Sequence, residues 1–119
     1  MKKRQLCPCG TGLPEMKCCG PVLSGETLAA TPEALMRSRY TAYSQHNTAY
    51  LLSSWHASTR PETLELESGI KWFQLDILQA SHHIVEFCAR YRVQGKAGKL
   101  HEVSEFVFEG GCWYYLKGK

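Results

Sequence analysis

The stretch from Cys7 to Gly20, C-P-C-G-T-G-L-P-E-M-K-C-C-G, constrains this chain more than any other. It holds Cys7-x-Cys9, a gap of eight residues, and the adjacent Cys18 and Cys19. Zn²⁺ imposes no geometry of its own and is satisfied by four thiolates in a tetrahedron, at about 2.3 Å from each sulfur. Two close pairs of cysteines let a short segment reach all four corners. Pro8 stiffens the first pair, and Gly10, Gly12 and Gly20 are expected to take the positive φ values of a chain wrapped round an ion. The expectation is one Zn²⁺ per chain on Cys7, Cys9, Cys18 and Cys19. A closed set of four thiolates leaves no position for water, so the metal is expected to be structural. Three other readings fit the same residues: disulfides, an iron–sulfur cluster and unligated thiols. Adjacent cysteines bridge one another only with strain, and disulfides persist mainly in oxidising compartments. An iron–sulfur cluster also takes four thiolates.

With 119 residues, 44% hydrophobic and 21% charged, the chain has the makings of a metal module and one small core. The expected division is a zinc-binding module over residues 1–24 and a second domain over residues 25–119. Met1-Lys2-Lys3-Arg4-Gln5-Leu6 is basic but lacks the apolar run of a signal peptide, and no apolar run is long enough to span a bilayer. The cytoplasm is therefore expected, with Cys88 and Cys112 as buried free thiols. The formal charge is +3. Four thiolates and one Zn²⁺ bring it to about +1, which argues against a dedicated nucleic-acid binder. Lys2, Lys3, Arg4 and Lys17 nevertheless cluster around the cysteines, either to neutralise them or to meet an acidic or phosphate-bearing surface.

The remainder divides into a helical and a strand-rich half. Residues 21–30 read as a connector. Thr31-Pro32-Glu33 reads as a helix start, with a capping hydroxyl, a proline at the first turn and an acid at the positive end of the dipole. That helix is expected from Pro32 to about Gln45, burying Met36, Tyr40 and Tyr43 beside Leu35 and Ala42, with Arg37, Thr41 and Ser44 turned away. A second helix is expected over Ala49 to His56, capped by Asn47 or Thr48. Residues 57–69 read as a connection with at most a short strand or turn at Thr63 to Leu66. Strands follow over Ile70 to Gln79, His83 to Gln94, Lys99 to Phe108 and Cys112 to Lys117. Gln94 to Gly98 and Glu109 to Gly111 are the hairpin connections. Val85, Phe87, Ala89, Tyr91 and Val93 share one face of the second strand, and Glu102, Ser104, Phe106 and Phe108 one face of the third. The whole is an α+β fold: two helices packed on an antiparallel sheet.

The cysteine pattern is similar to the SEC-C motif, Cys-x-Cys, eight residues, then Cys followed by His or Cys. The same module ends the preprotein translocase motor SecA, where it contacts an export chaperone and the ribosome. The second half resembles the nuclear transport factor 2-like fold, a cone of curved sheet closed by helices. The runs A-L-M-R-S-R-Y-T-A-Y, Y-L-L-S-S-W-H, V-E-F-C-A-R-Y and L-H-E-V-S-E-F behind a SEC-C start resemble the YchJ-like family of small bacterial proteins along almost the whole chain. That resemblance implies the fold, the metal and a protein or ribosomal partner, but no reaction.

Cone folds often hold a pocket, so a small-molecule ligand is a second expectation. The candidates to line it are Tyr40, Trp55, His56, Arg90, Tyr91, His101, Glu102 and Ser104. An acid–base enzyme would need a histidine beside a carboxylate. His101 and Glu102 are strand neighbours and face opposite ways, which leaves His56 with Glu102. Glu86 and Arg90, two pleats apart, read as a surface ion pair. Two function classes follow: a zinc-binding adaptor, monomeric or homodimeric, whose metal module contacts a partner, or a small enzyme acting in the cone.

Overall fold

The computed structural model describes residues 6–119. Lys2, Lys3 and Arg4 of the basic cluster lie outside the described residues. A 3₁₀ turn at Glu15–Lys17 leads into helix α1, Cys19–Ser24. Helix α2 spans Pro32–Ser44 and helix α3 Thr48–Ser53. Strands β1 (Ile70–Ala80), β2 (Ile84–Val93), β3 (Lys96–Glu109) and β4 (Cys112–Gly118) form one antiparallel sheet in the order β1-β2-β3-β4. No helix among the described residues is long and apolar enough to cross a membrane.

Helix α2 begins as its sequence dictates: the Ala34 amide donates to the Thr31 hydroxyl at 3.0 Å, and Pro32 fills the first turn. Its burial is wider than one stripe. Ser38 and Thr41 are fully buried and Arg39 is 2% exposed, because α2 is covered on two sides. One side carries the sheet and the other carries the cysteine segment. Cys7, Cys9 and Cys19 share a single core with Leu35, Met36, Tyr40, Leu75 and Phe87. Thr41, expected to turn away, instead faces the Cys7 sulfur at 3.7 Å. The connector expected at residue 21 begins later, since α1 continues to Ser24 and closes on Gly25.

Helix α3 is capped by Asn47, whose side chain accepts from the Tyr50 amide at 3.1 Å. It stops three residues short of the expected end. The backbone at Ser54 and His56 is taken by β4: Tyr115 N–H donates to Ser54 C=O and His56 N–H to Tyr115 C=O, both at 2.8 Å. Trp55 thus extends the sheet rather than the helix. Residues 57–69 form a connection with no strand at Thr63 to Leu66.

In the sheet, β2 and β3 pair without a slip from Ile84↔Glu105 to Val93↔Lys96. The connection is shorter than the expected five residues. Only Gln94 and Gly95 turn, both at positive φ (51° and 79°), as a two-residue hairpin matching strand twist requires. Gly98 belongs to β3 instead, where a Cβ would lie 2.6 Å from the Tyr91 ring. Strand β1 carries two bulges, at Phe73 and Leu78, the residues skipped by the register. They decide its faces. Trp72 differs in parity from Leu75 and Ile77, so a regular strand would send one side of that set outward. Each bulge resets the pleat, so Trp72, Leu75 and Ile77 join the core while Phe73 and Leu78 are exposed.

The contrast gives a test. Leu51 is fully buried under α2, whereas Leu78 is 55% exposed at a bulge. Leu51→Ala should cost about 2–5 kcal/mol of unfolding free energy in urea melts, and Leu78→Ala no more than about 0.5 kcal/mol.

Candidate functional site

The cysteine segment closes on itself through its backbone. Leu6 bridges to Pro14, Cys7 N–H donates to Leu13 C=O at 2.8 Å, and Gly10 N–H donates to Cys7 C=O at 3.2 Å. Gly10 and Gly12 take positive φ as expected. Gly20 does not: it is helical, and it is required for space, since a Cβ there would lie 2.8 Å from the Glu15 carbonyl oxygen.

This loop and the start of α1 bring the sulfurs of Cys7, Cys9, Cys18 and Cys19 within 4.8 Å of one another. The Cys9 and Cys18 sulfurs are 3.6 Å apart. A tetrahedron with metal–sulfur bonds of about 2.3 Å has edges of about 3.8 Å, so the four sulfurs fit an ion at their centre. All six cysteines of the chain are unbridged, and Cys112 is only half-buried where a buried thiol was expected. Cys7, Cys9 and Cys19 are buried, and Cys18 is partly open. Among the described residues this is the one cluster of ligand atoms close enough to hold a metal.

The electrostatics split the thiols, favouring the anion at Cys9 and the neutral thiol at Cys18 and Cys19. The hydrogen bond from Cys19 lowers the Cys9 pKa to about 4, with burial opposing and Thr11 assisting. The same bond, with burial, holds Cys19 far above the ordinary thiol range, and burial raises Cys18. Metal binding requires the thiolate form, so a divalent ion would displace the remaining thiol protons. The Thr11 hydroxyl lies 3.1 Å from the Cys18 sulfur, and Thr41 stands over Cys7. Arg37 donates to the Cys9 carbonyl at 2.8 Å and pairs with Glu33 at 3.0 Å. Burial pulls the Arg37 pKa down, but Glu33 and Cys9 outweigh it and keep the guanidinium charged beside the sulfur cluster. Of these neighbours, only the Glu33–Arg37 spacing was a signal in sequence.

A second feature is a cavity of about 190 Å³ between α2 and the inner face of the sheet. Of the expected lining residues, Tyr40, Glu102 and Ser104 reach it, with Ser104 donating to Glu102 Oε2 at 2.7 Å. The others do not. His56 Nε2 meets Glu109 Oε1 at 3.1 Å and its Nδ1 meets Ser58 at 2.7 Å, so the expected His56–Glu102 pair is absent. The sheet-edge position that ended α3 early also carried His56 away from the cone. His101 pairs with Glu86 at 2.7 Å on the outer face, and Arg90 pairs with Asp76 at 3.9 Å, so the expected Glu86–Arg90 pair is replaced by two cross-strand ones. Tyr91 packs against Trp72 at 5.2 Å, and Trp55 against Tyr115 at 5.0 Å.

Sequence reasoning missed Arg39. Its Nη1 donates to the Leu51 carbonyl at 2.8 Å and the Ser54 hydroxyl at 2.7 Å. Its guanidinium carbon lies 4.5 Å from the Tyr115 ring centre and 5.2 Å from that of Trp55. Burial lowers its pKa. Burial also pushes the Tyr40 and Tyr115 hydroxyls up to about 12, which keeps them neutral donors. No histidine lines the cavity among the described residues.

Residues 31–118 match the family described as YchJ, middle NTF2-like domain. A UPF0225 protein of Polaromonas naphthalenivorans is 44% identical, covering 94% of this chain and 95% of its own length. A UPF0225 protein of Streptomyces coelicolor is 43% identical over 95% and 94%. Two solved structures share the architecture. The SEC-C motif containing protein of Rhodopseudomonas palustris is 33% identical with a TM-score of 0.84, over 95% of this chain and 96% of that one. The SEC-C motif containing protein of Psychrobacter arcticus is 25% identical with a TM-score of 0.79, over 95% and 81%. By this match and these identities, the chain belongs to the YchJ-like UPF0225 family, bacterial proteins that join a SEC-C cysteine motif to an NTF2-like domain.

Proposed function

We propose that this protein is a cytoplasmic zinc-binding adaptor. Cys7, Cys9, Cys18 and Cys19 hold one structural Zn²⁺, and the module of residues 1–24 presents a contact surface to a protein or ribosomal partner. Zinc suits the donor set better than the harder divalent ions, since thiolates are soft ligands and the sulfurs are spaced for a tetrahedron. A closed thiolate set performs no hydrolysis, so the module serves by its shape. The observation that carries the contact role is the apolar surface left on the same loop: Leu6 is 63%, Leu13 50% and Met16 73% exposed. Their own core is beside them, yet they point away from it. Apolar side chains exposed on a metal-rigidified loop are pre-ordered for docking, which lowers the entropic cost of association. Lys17 stands among them, and the same segment contains Lys2, Lys3 and Arg4. The partner surface is accordingly acidic or phosphate-rich with an apolar element, as ribosomes and acidic chaperones both offer. The enzyme reading loses its support with the His56–Glu102 pair.

Two measurements test this. Metal analysis of the purified chain should give one zinc, lost in a Cys7→Ser/Cys19→Ser double variant; an iron–sulfur absorption spectrum, or full zinc in that variant, contradicts the assignment. On chelation the Tm should fall, because the cluster shares its core with α2, while the far-UV signal of the sheet persists; complete loss of that signal would remove the division at residues 24 and 25.

Partner contact is tested separately. The charge reversals Lys3→Glu, Arg4→Glu and Lys17→Glu, or Leu13→Asp with Met16→Asp, should reduce cosedimentation with ribosomes and capture by acidic chaperones. The charge effect should grow as salt falls, since screening acts over about 8–10 Å at physiological ionic strength. Zinc content should stay unchanged. Binding that ignores both sets of substitutions rules out this module as the contact surface.

A further inference from the structure

Arg39 is a buried cation with no carboxylate within ion-pair distance among the described residues. It is 2% exposed. The ion pairs among the described residues engage Arg37, Arg90, His56 and His101, and none engages Arg39. Its two hydrogen bonds, to the Leu51 carbonyl and the Ser54 hydroxyl, both leave from Nη1 and both end on neutral oxygens. The Trp55 and Tyr115 rings hold the guanidinium plane in place. An arginine fixed so firmly, with no such carboxylate beside it, is organised for an anion that arrives from outside. The cavity provides the route, because Arg39 is one of its walls.

The other walls limit the anion. The cavity of about 190 Å³ holds only about six waters' worth of volume, well below the ~300–1,000 Å³ of sites for drug-sized ligands. Tyr40, Trp72, Phe87 and Tyr115 make its lining aromatic. Glu102 is the one carboxylate in the lining, and Ser104 donates to its Oε2, while no side-chain bond among the described residues reaches its Oε1. A second negative charge on the ligand would add repulsion from Glu102, so a monoanion is favoured over a phosphate dianion. The free carboxylate oxygen asks for a donor, a hydroxyl or an amine, on the same ligand.

We propose that the cone of this protein binds a small aromatic monocarboxylate, its carboxylate paired with Arg39, its ring among Trp72 and Phe87, and a hydroxyl or amine donating to Glu102. None of the four clustered cysteines lines the cavity.

The test uses the full zinc-loaded chain and 4-hydroxyphenylacetate as the probe, with 4-hydroxyphenylacetamide and phenyl phosphate as comparisons. Binding is followed by calorimetry and by NMR shifts of the Trp72 and Tyr115 side chains. The acid should bind at millimolar concentration or below and move those signals. The neutral amide and phenyl phosphate should each bind at least about tenfold more weakly. Arg39→Met should lose the preference for the acid over the amide. Leu100→Trp, at an exposed position on the cavity edge, should keep the fold and block both ligands, which guards against misfolding of the Arg39 variant. Equal binding of acid and amide overturns the proposal. So do tighter binding of the phosphate, shifts confined to residues outside the cavity, and absence of acid binding up to about 10 mM.

Discussion

The structure depends on a helix, α2, that is buried from two sides. A helix in a two-layer α+β fold ordinarily gives one stripe to the sheet and the rest to water. Here the cysteine loop covers Thr41, while α3 and β4 enclose Ser38 and Arg39, so all three are inside. Each buried polar group then needs a partner, and each has one: Ser38 donates to the Leu35 carbonyl, Thr41 meets the Cys7 sulfur, and Arg39 caps the end of α3. The metal module and the cone are thereby welded through a single helix, with Leu35, Met36 and Tyr40 in the same core as three of the four cysteines. A metal held by the four cysteines would add stability to a core this small.

The same arrangement separates two chemistries. On one side of α2 the field is set by sulfur: the Cys9 thiol is readily ionised, and Arg37 with the Thr11 and Thr41 hydroxyls stands ready to stabilise anionic ligands. Those neighbours orient and charge the ligands in the way that surrounding groups do at metal sites generally. On the other side the field is set by one guanidinium among aromatic rings, with Glu102 also in the lining. Arg37 and Arg39, two residues apart, thus serve opposite faces of one helix.

The histidines show how a site can dissolve on folding. His56, His101, Glu86 and Glu102 have the residue types of an acid–base site, yet one cross-strand ion pair, His101–Glu86, and one sheet-edge contact, His56–Glu109, take both of those histidines away from the cavity. What remains inside is an arginine, a carboxylate and neutral hydroxyls. No histidine joins them among the described residues.

Much of this was legible in the chain itself. Cysteines that all fall within thirteen residues are brought together by local loop geometry, so Cys7, Cys9, Cys18 and Cys19 could be read as one cluster. Caps and turns are also local, which is why Thr31 and the alternation Val85–Phe87–Ala89 were readable in advance. The bulges at Phe73 and Leu78, the early end of α3 and the burial of Thr41 were not. Each of these depends on an element distant in sequence: β2 sets the phase of β1, β4 claims the backbone at Ser54 and His56, and the cysteine loop covers Thr41. Arg39 belongs to the same class. One turn of helix defines which residues are neighbours along α2, but only the packing of a loop, a helix and a sheet around it determined that this arginine would be enclosed with no carboxylate within ion-pair distance among the described residues.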